Sequence, residues 1–184
     1  MYIIAGEFKG YKLISLPTRR IRPTMNKVRE SIFTMIRDRL EDAEVLDLFA
    51  GTGSLGIEAL SGGARLCHFV DHASLSIRCI SNNVKKLNIS DRVKIIKSPV
   101  MSFIARCKDK YDVIFADPPY GQPQIEKMID TLIMRGILKP HGLLILEADA
   151  RENILLPKGY TLKQKLYGDT QIAVISQERD VEDL

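Results

Sequence analysis

The sequence predicts an α/β fold built on a mostly parallel seven-stranded sheet with helices on both faces, and three observations carry that expectation. Short apolar runs alternate with helical stretches after residue 40. The first run, Val45-Leu46-Asp47-Leu48-Phe49, passes directly into the glycine-rich turn Ala50-Gly51-Thr52-Gly53. The last two runs have no helix between them, only Tyr167-Gly168-Asp169-Thr170, which reads as a hairpin turn and places an antiparallel pair at the sheet edge.

Residues 2–16 alternate enough for a small β-hairpin punctuated by Gly6 and Gly10, and a Pro/Arg loop follows through Pro23. Thr24 is placed to cap a helix from about Met25 to Leu40, whose apolar face is Val28, Ile32, Phe33 and Ile36. Strands are expected at 45–49, 65–70, 92–97, 111–116, 143–148, 160–166 and 171–176. Helices near 54–61, 74–87, 99–107 and 122–135 fill the gaps. Three units follow: a basic extension of hairpin, loop and helix at 1–40, the α/β domain at 41–177, and an acidic tail at 178–184 that is expected to fray.

A chain of 184 residues, 45% hydrophobic and 27% charged, has material for one full core and one principal domain. No apolar run approaches the roughly 20 residues of a membrane span, and the start shows no basic segment followed by an apolar stretch. A cytoplasmic location is the expectation. Cys67, Cys79 and Cys107 have no C-x-x-C pairing, and His68, His72 and His141 lack ligand spacing, so no metal site is expected. Charge is unevenly placed. Residues 1–40 hold nine Lys and Arg against three acids, a net of +6, which leaves −2 for the other 144 residues of a chain whose total is +4. A positive excess confined to one end suggests a polyanion-binding segment on a nearly neutral core. Arg19, Arg20 and Arg22, with Lys9 and Lys27, are the expected nucleic-acid contacts.

The chemistry concentrates in Asp117-Pro118-Pro119-Tyr120, which ends the apolar run Tyr111-Asp112-Val113-Ile114-Phe115-Ala116. An exocyclic base nitrogen is a poor nucleophile because its lone pair is delocalised into the ring. The Asp117 carboxylate and the Pro118 carbonyl would each accept one N–H and turn the lone pair toward an electrophile, while Tyr120 offers a flat face to the base. Prolines stiffen the turn and donate no N–H that would occupy those acceptors. Gly51-x-Gly53-x-x-Gly56 also fits a dinucleotide loop, but an acid just upstream, Asp47, is awkward beside a pyrophosphate and suits a cationic ligand such as S-adenosylmethionine. Asp71, eighteen residues after Gly53 at the end of the second strand, is the expected ribose ligand. In a doubly wound sheet the first and fourth strands are neighbours, so both motifs open on one crevice.

These motifs, with Ile3-Ile4-Ala5-Gly6, Lys9-Gly10, Arg22-Pro23-Thr24, Val28-Arg29-Glu30, Phe33, Glu147 and Tyr167-Gly168-Asp169-Thr170, make the chain similar to the bacterial RsmD family over about residues 3–176. The resemblance implies a Rossmann-like class I methyltransferase that modifies the N2 amino group of a guanine in 16S rRNA, within the 30S subunit or an assembly intermediate. It implies S-adenosylmethionine as cofactor, with Asp47, Gly51 and Gly53 around its methionine part, Asp71 on its ribose, and Phe49 also in the cofactor site. Thr24 and Arg29 would help close the methionine end, and backbone groups at Val100 and Met101 would meet the adenine. Asp117, Pro118 and Tyr120 would hold the flipped guanine, and the loop from Arg19 to Arg22 would meet the RNA backbone. Two departures stand out: Ser98-Pro99-Val100 lacks an acid or amide for the adenine amino group, and Asp71-His72-Ala73 lacks a second acid after the ribose ligand. A monomer is expected. The rival readings are a DNA adenine-N6 methyltransferase, for which the chain lacks a sizeable target-recognition region, and a non-catalytic RNA-binding ribosome assembly factor.

Overall fold

The structure is a computed structural model that describes residues 1–16, 23–119 and 125–178. Its sheet contains β1 (Glu44–Leu48), β2 (Leu66–Asp71), β3 (Val93–Lys97), β4 (Tyr111–Ala116), β5 (Leu138–Asp149), β6 (Tyr160–Tyr167) and β7 (Thr170–Gln177) in the order β3-β2-β1-β4-β5-β7-β6. The first five strands run parallel, and β7 lies antiparallel between β5 and β6. The helices are α1 (Pro23–Ile36), α2 (Ser54–Ser61), α3 (Ser74–Leu87), α4 (Val100–Ile104) and α5 (Ile125–Met134). Strand order reverses between β1 and β4, so the carboxyl ends of those two strands border a crevice.

Alternation along each strand divides the core into two layers. Val45, Phe69, Val113, Phe115, Ile145 and Ile172 face α1, α2 and α3, where they pack on Val28, Ile32, Ile36, Ile57, Leu60 and Ile80. Leu46, Leu48, Ile114, Leu144 and Leu146 face α4 and α5, against Val100, Ile104, Met128, Ile129 and Leu132. Because β1 and β4 are covered on both faces, they read as almost unbroken apolar runs.

The fourth helix, Val100–Ile104, is shorter than the expected 99–107, and three further differences from the sequence reading have local reasons. Residues 2–12 form a bend closed by a single antiparallel bridge, Tyr2 to Lys12, rather than a regular two-stranded hairpin. The Ile3, Gly10 and Leu13 N–H groups bond across the bend, but others bond elsewhere: the N–H groups of Ile4 and Ala5 donate to Glu58 Oε1 at 2.8 and 3.0 Å, and that of Phe8 to Ser61 Oγ at 2.9 Å. Gly6, at φ 79°, lies so close to Ser61 that a Cβ would collide with its backbone carbonyl. The first helix ends at Ile36, and a 3-10 turn over Arg37–Arg39 carries the chain on. β5 begins at Leu138 instead of 143, since Leu138 pairs with Tyr111 before a register shift restores the ladder at Val113 and Leu143.

Candidate active site

Strand β1 delivers Asp47 to the crevice, and the chain then turns sharply. Phe49 takes φ 57°, a left-handed conformation uncommon for a residue with a side chain, and Gly51 and Gly53 follow at 56° and 76°. Two buried carboxylates fix this loop. Asp71, at the end of β2, accepts the Gly51 N–H through Oδ2 at 2.9 Å and the Ala73 N–H through Oδ1 at 2.8 Å. Asp47 accepts the Gly56 N–H through Oδ2 at 3.0 Å, satisfying a first-turn donor of α2 and placing negative charge at that positive helix end. Asn83 of α3 donates to the Thr52 carbonyl at 3.1 Å. Gly56 has a packing role: a Cβ there would run into the Phe69 ring and Cys67 Sγ, so glycine lets α2 lie directly on β2.

Asp117 follows β4 beside this loop, half-buried, with Pro118 buried and Pro119 exposed. Leu48 pairs with Ala116, and Ala116 with Leu146. The next residues on β4 and β5 are therefore Asp117 and Glu147. Asp47, Asp117 and Glu147 share strand parity with Phe115 and Ile145, on the α1 face of the sheet. All three line one cavity, together with Phe49, Ala50 and Thr52 from the loop after β1, Ser54 and Leu55 from the start of α2, and Val28, Arg29 and Ile32 from α1. The cavity is thus strongly acidic, with α1 as its roof.

Arg29 serves that roof as well as the cavity. Its Nη2 donates to the Tyr2 carbonyl at 2.5 Å, and its Nε lies 3.5 Å from Glu58 Oε2. Burial pushes the Glu58 carboxyl up, offset in part by the Ala5 and Ile4 N–H groups and by Arg29; burial also lowers Arg29, against the pull of Glu58. Asn83 adds a second anchor, accepting the Ile14 N–H at 2.7 Å. The amino-terminal extension is therefore built onto α2 and α3 and closes the cavity from above.

Of the residues singled out in the sequence, Arg29, Asp47, Phe49 and Asp117 meet in the cavity. Asp71, Gly51, Val100 and Met101 extend the same sheet edge toward β3, with Ser98 N–H bonding the Asp71 carbonyl at 3.0 Å. The Val100 side chain belongs to the core, which leaves its backbone as the accessible part. Lys27 is exposed on the first turns of α1. Lys9 lies elsewhere, in the bend that bonds to Ser61 at the far end of α2, which extends about 12 Å from the glycine loop. Arg19, Arg20, Arg22 and Tyr120 lie outside the described residues, as does the side chain of Thr24. Among the described residues there is no group of three or more His, Cys, Asp or Glu arranged to hold a metal ion, and no helix is long and apolar enough to cross a membrane.

Sequence reasoning gave no site role to Glu147, Glu58 or Asn83. Strand parity alone marks Glu147, two residues beyond the buried Ile145. The other two stand on helices, and their bonds to the amino-terminal extension, Glu58 with Ile4 and Asn83 with Ile14, span more than 50 residues.

The strand order, the acidic cavity at the β1/β4 switch and the glycine loop define a Rossmann-like methyltransferase fold. The family model described as Conserved hypothetical protein 95 matches residues 1–176, and the chain belongs to that family, the RsmD family. It is 34% identical over 166 residues to the Ribosomal RNA small subunit methyltransferase D of Buchnera aphidicola subsp. Acyrthosiphon pisum, covering 90% of this chain and 86% of that protein. The protein of the same name from Escherichia coli strain K12 is 29% identical over 178 residues, with coverage of 96% and 89%. The solved structure of yhhF from Escherichia coli superposes at a TM-score of 0.90 with 28% identity, over 98% of this chain and 99% of that one.

Proposed function

We propose that the protein transfers a methyl group from S-adenosylmethionine to the N2 amino group of a guanine in 16S rRNA. The observation that carries this is the meeting of Asp117 and Asp47 in a single cavity beside the glycine loop. The donor fits the residues present, because a ligand with an ammonium and a sulfonium matches the Asp47 carboxylate in the cavity, and glycines at 51 and 53 let the backbone approach it closely. When bound it supplies an electrophilic methyl on a positively charged sulfur. Asp47 holds negative charge at the cationic end. Asp71 fixes Gly51 and retains lone pairs for ribose hydroxyls, since a carboxylate has about four acceptor sites. Backbone groups at Val100 and Met101 bound the adenine end.

Asp117 and the Pro118 carbonyl accept the two N–H bonds of the target amine, so that its lone pair points at the methyl carbon as positive charge develops on nitrogen. The donor would take the C–S electron pair on its departing sulfur, and Asp117 would be the adjacent base for the proton that the methylated nitrogen loses. A guanine must leave its stack to enter this cavity. Charge around the mouth supports an RNA substrate. Glu147 pairs with Ile172 and Ile172 with Lys165, so Lys165 stands two strands out from the cavity on the same face. Lys165 Nζ donates to Ser31 Oγ of α1 at 3.2 Å, and the ammonium lies 5.5 Å from the Tyr167 ring centroid. With Lys27, exposed on the first turns of α1, it supplies cations for phosphates flanking the flipped base. The relatives named as small-subunit ribosomal RNA methyltransferases support the same substrate, in the 30S particle or an intermediate of its assembly.

Asp117→Ala tests the assignment. Binding of S-adenosylmethionine should stay near the parent's while methyl transfer falls at least about 100-fold, the scale of a lost transition-state acceptor. Equal loss of both would remove Asp117 from the catalytic role.

A further inference from the structure

We infer that Glu147 is the residue that selects guanine, by accepting the ring N1–H beside the reacting amino group; this rests on the base-methylation reading above. Asp117 and Glu147 are successive positions on neighbouring parallel strands, one residue past the pair Ala116 and Leu146. The pair they follow is one strand spacing apart, about 4.8 Å. Both side chains project from the α1 face and line the same cavity. An amine held by Asp117 and the Pro118 carbonyl thus presents its neighbouring ring atom toward Glu147.

The three bases with exocyclic amines differ at that atom. In guanine one of the two ring nitrogens flanking the amino-bearing carbon, N1, carries a hydrogen, whereas the single ring nitrogen beside the amino-bearing carbon, adenine N1 or cytosine N3, carries a lone pair. An ionised carboxylate is an acceptor only. It bonds guanine N1–H and faces a lone pair in the other two, where it is both unpaired and repelled. Asp117 and the proline carbonyl take any amino group alike, so discrimination requires a further acceptor, and Glu147 stands where one is needed. Ile172 backs it on β7, limiting its retreat from the cavity.

The probe is 2-aminopurine, which keeps the amino nucleophile of guanine and has a bare N1. Single-turnover methyl transfer would be followed on ribosomal RNA carrying guanosine or 2-aminopurine at the methylated position, with the parent enzyme and with Glu147→Gln. The parent should prefer guanosine at least about 10- to 100-fold, as expected for a charge-assisted hydrogen bond lost in a closed site. Glu147→Gln should be slower on guanosine and should lose most of that preference, because its amide can donate to N1, while its affinity for S-adenosylmethionine stays near the parent's. An unchanged preference in the variant, or a weakened cofactor affinity with the preference intact, overturns the assignment. If the variant does not fold, the parent alone decides, since equal rates on the two bases overturn it. Methyl found on adenine in the parent reaction instead removes the guanine-N2 function itself, a result separate from failure of Glu147.

Discussion

Arg29 and Glu58 form a buried ion pair that joins the cavity roof to the first helix after the glycine loop. Nε and Oε2 lie 3.5 Å apart, with side-chain exposures of 6% and 2%, and among the described residues neither atom has a hydrogen bond of its own. The pair is held from outside by the Tyr2 carbonyl on Arg29 and by the Ile4 and Ala5 N–H groups on Glu58. Such a pair adds little net stability but is costly to break, because the surviving charge is left buried.

Glu58→Ala should therefore lower unfolding free energy by about 3–5 kcal/mol in urea titration. The double change Arg29→Met with Glu58→Leu should recover a large part of that loss. A double variant as unstable as the single one would mean that the carboxylate's bonds to Ile4 and Ala5, not the orphaned charge, dominate.

Asp71→Asn probes the other end of the site. Both carboxylate oxygens accept backbone N–H groups, from Gly51 and Ala73, and an amide offers only one acceptor atom. One N–H loses its partner and the glycine loop loosens, so S-adenosylmethionine affinity measured by calorimetry should drop at least about 10-fold, as for a lost hydrogen bond to a charged group. Affinity equal to the parent's would show that the loop holds its form without Asp71.

Gly56→Ala tests the packing of α2. The new methyl meets the Phe69 ring and Cys67 Sγ, both fully buried, and overpacking of this kind costs about 1–3 kcal/mol. A thermal melt should show a lower midpoint, and an unchanged midpoint would mean that the helix shifts without cost.

At the opposite sheet edge, Lys139 Nζ lies 2.9 Å from both Glu44 Oε2 and Asp112 Oδ2. Lys139 holds the Glu44 carboxyl low against partial burial. For Asp112, burial acts upward but is outweighed by the Glu44 N–H and by Lys139, so its net shift is also downward. Carboxyls depressed in the folded state contribute stability that is present above the ordinary carboxylate range and lost as pH falls through it. Melting temperature should thus decline as pH falls from about pH 5 to pH 2, and Lys139→Met should flatten that decline. An identical slope in the variant would place the acid sensitivity elsewhere.

The parts of the fold that repeat locally were legible in the sequence. The parallel strands are apolar runs because both faces are covered, and the glycine loop is local by nature, so β1 through α2 lies where periodicity puts it. The amino-terminal extension was legible in outline only. Its backbone is satisfied by Glu58, Ser61 and Asn83, whose separation in sequence hides them from any local pattern. The end of α1 at Ile36 carries no stop residue, and the early start of β5 depends on a bulge. Glu147 shows the converse. Its parity was readable, but its meaning depends on β4 and β5 being neighbours, which only the assembled sheet reveals.

The central claim is tested most directly by labelled methyl transfer from S-adenosylmethionine to unmethylated 30S subunits, naked 16S RNA and duplex DNA, followed by nucleoside analysis. N2-methylguanosine from a ribosomal substrate is the predicted product, and the comparison of particle with naked RNA shows how much assembly the enzyme requires. N6-methyladenine in DNA, or cofactor binding with no transfer to any of the three, would contradict the account.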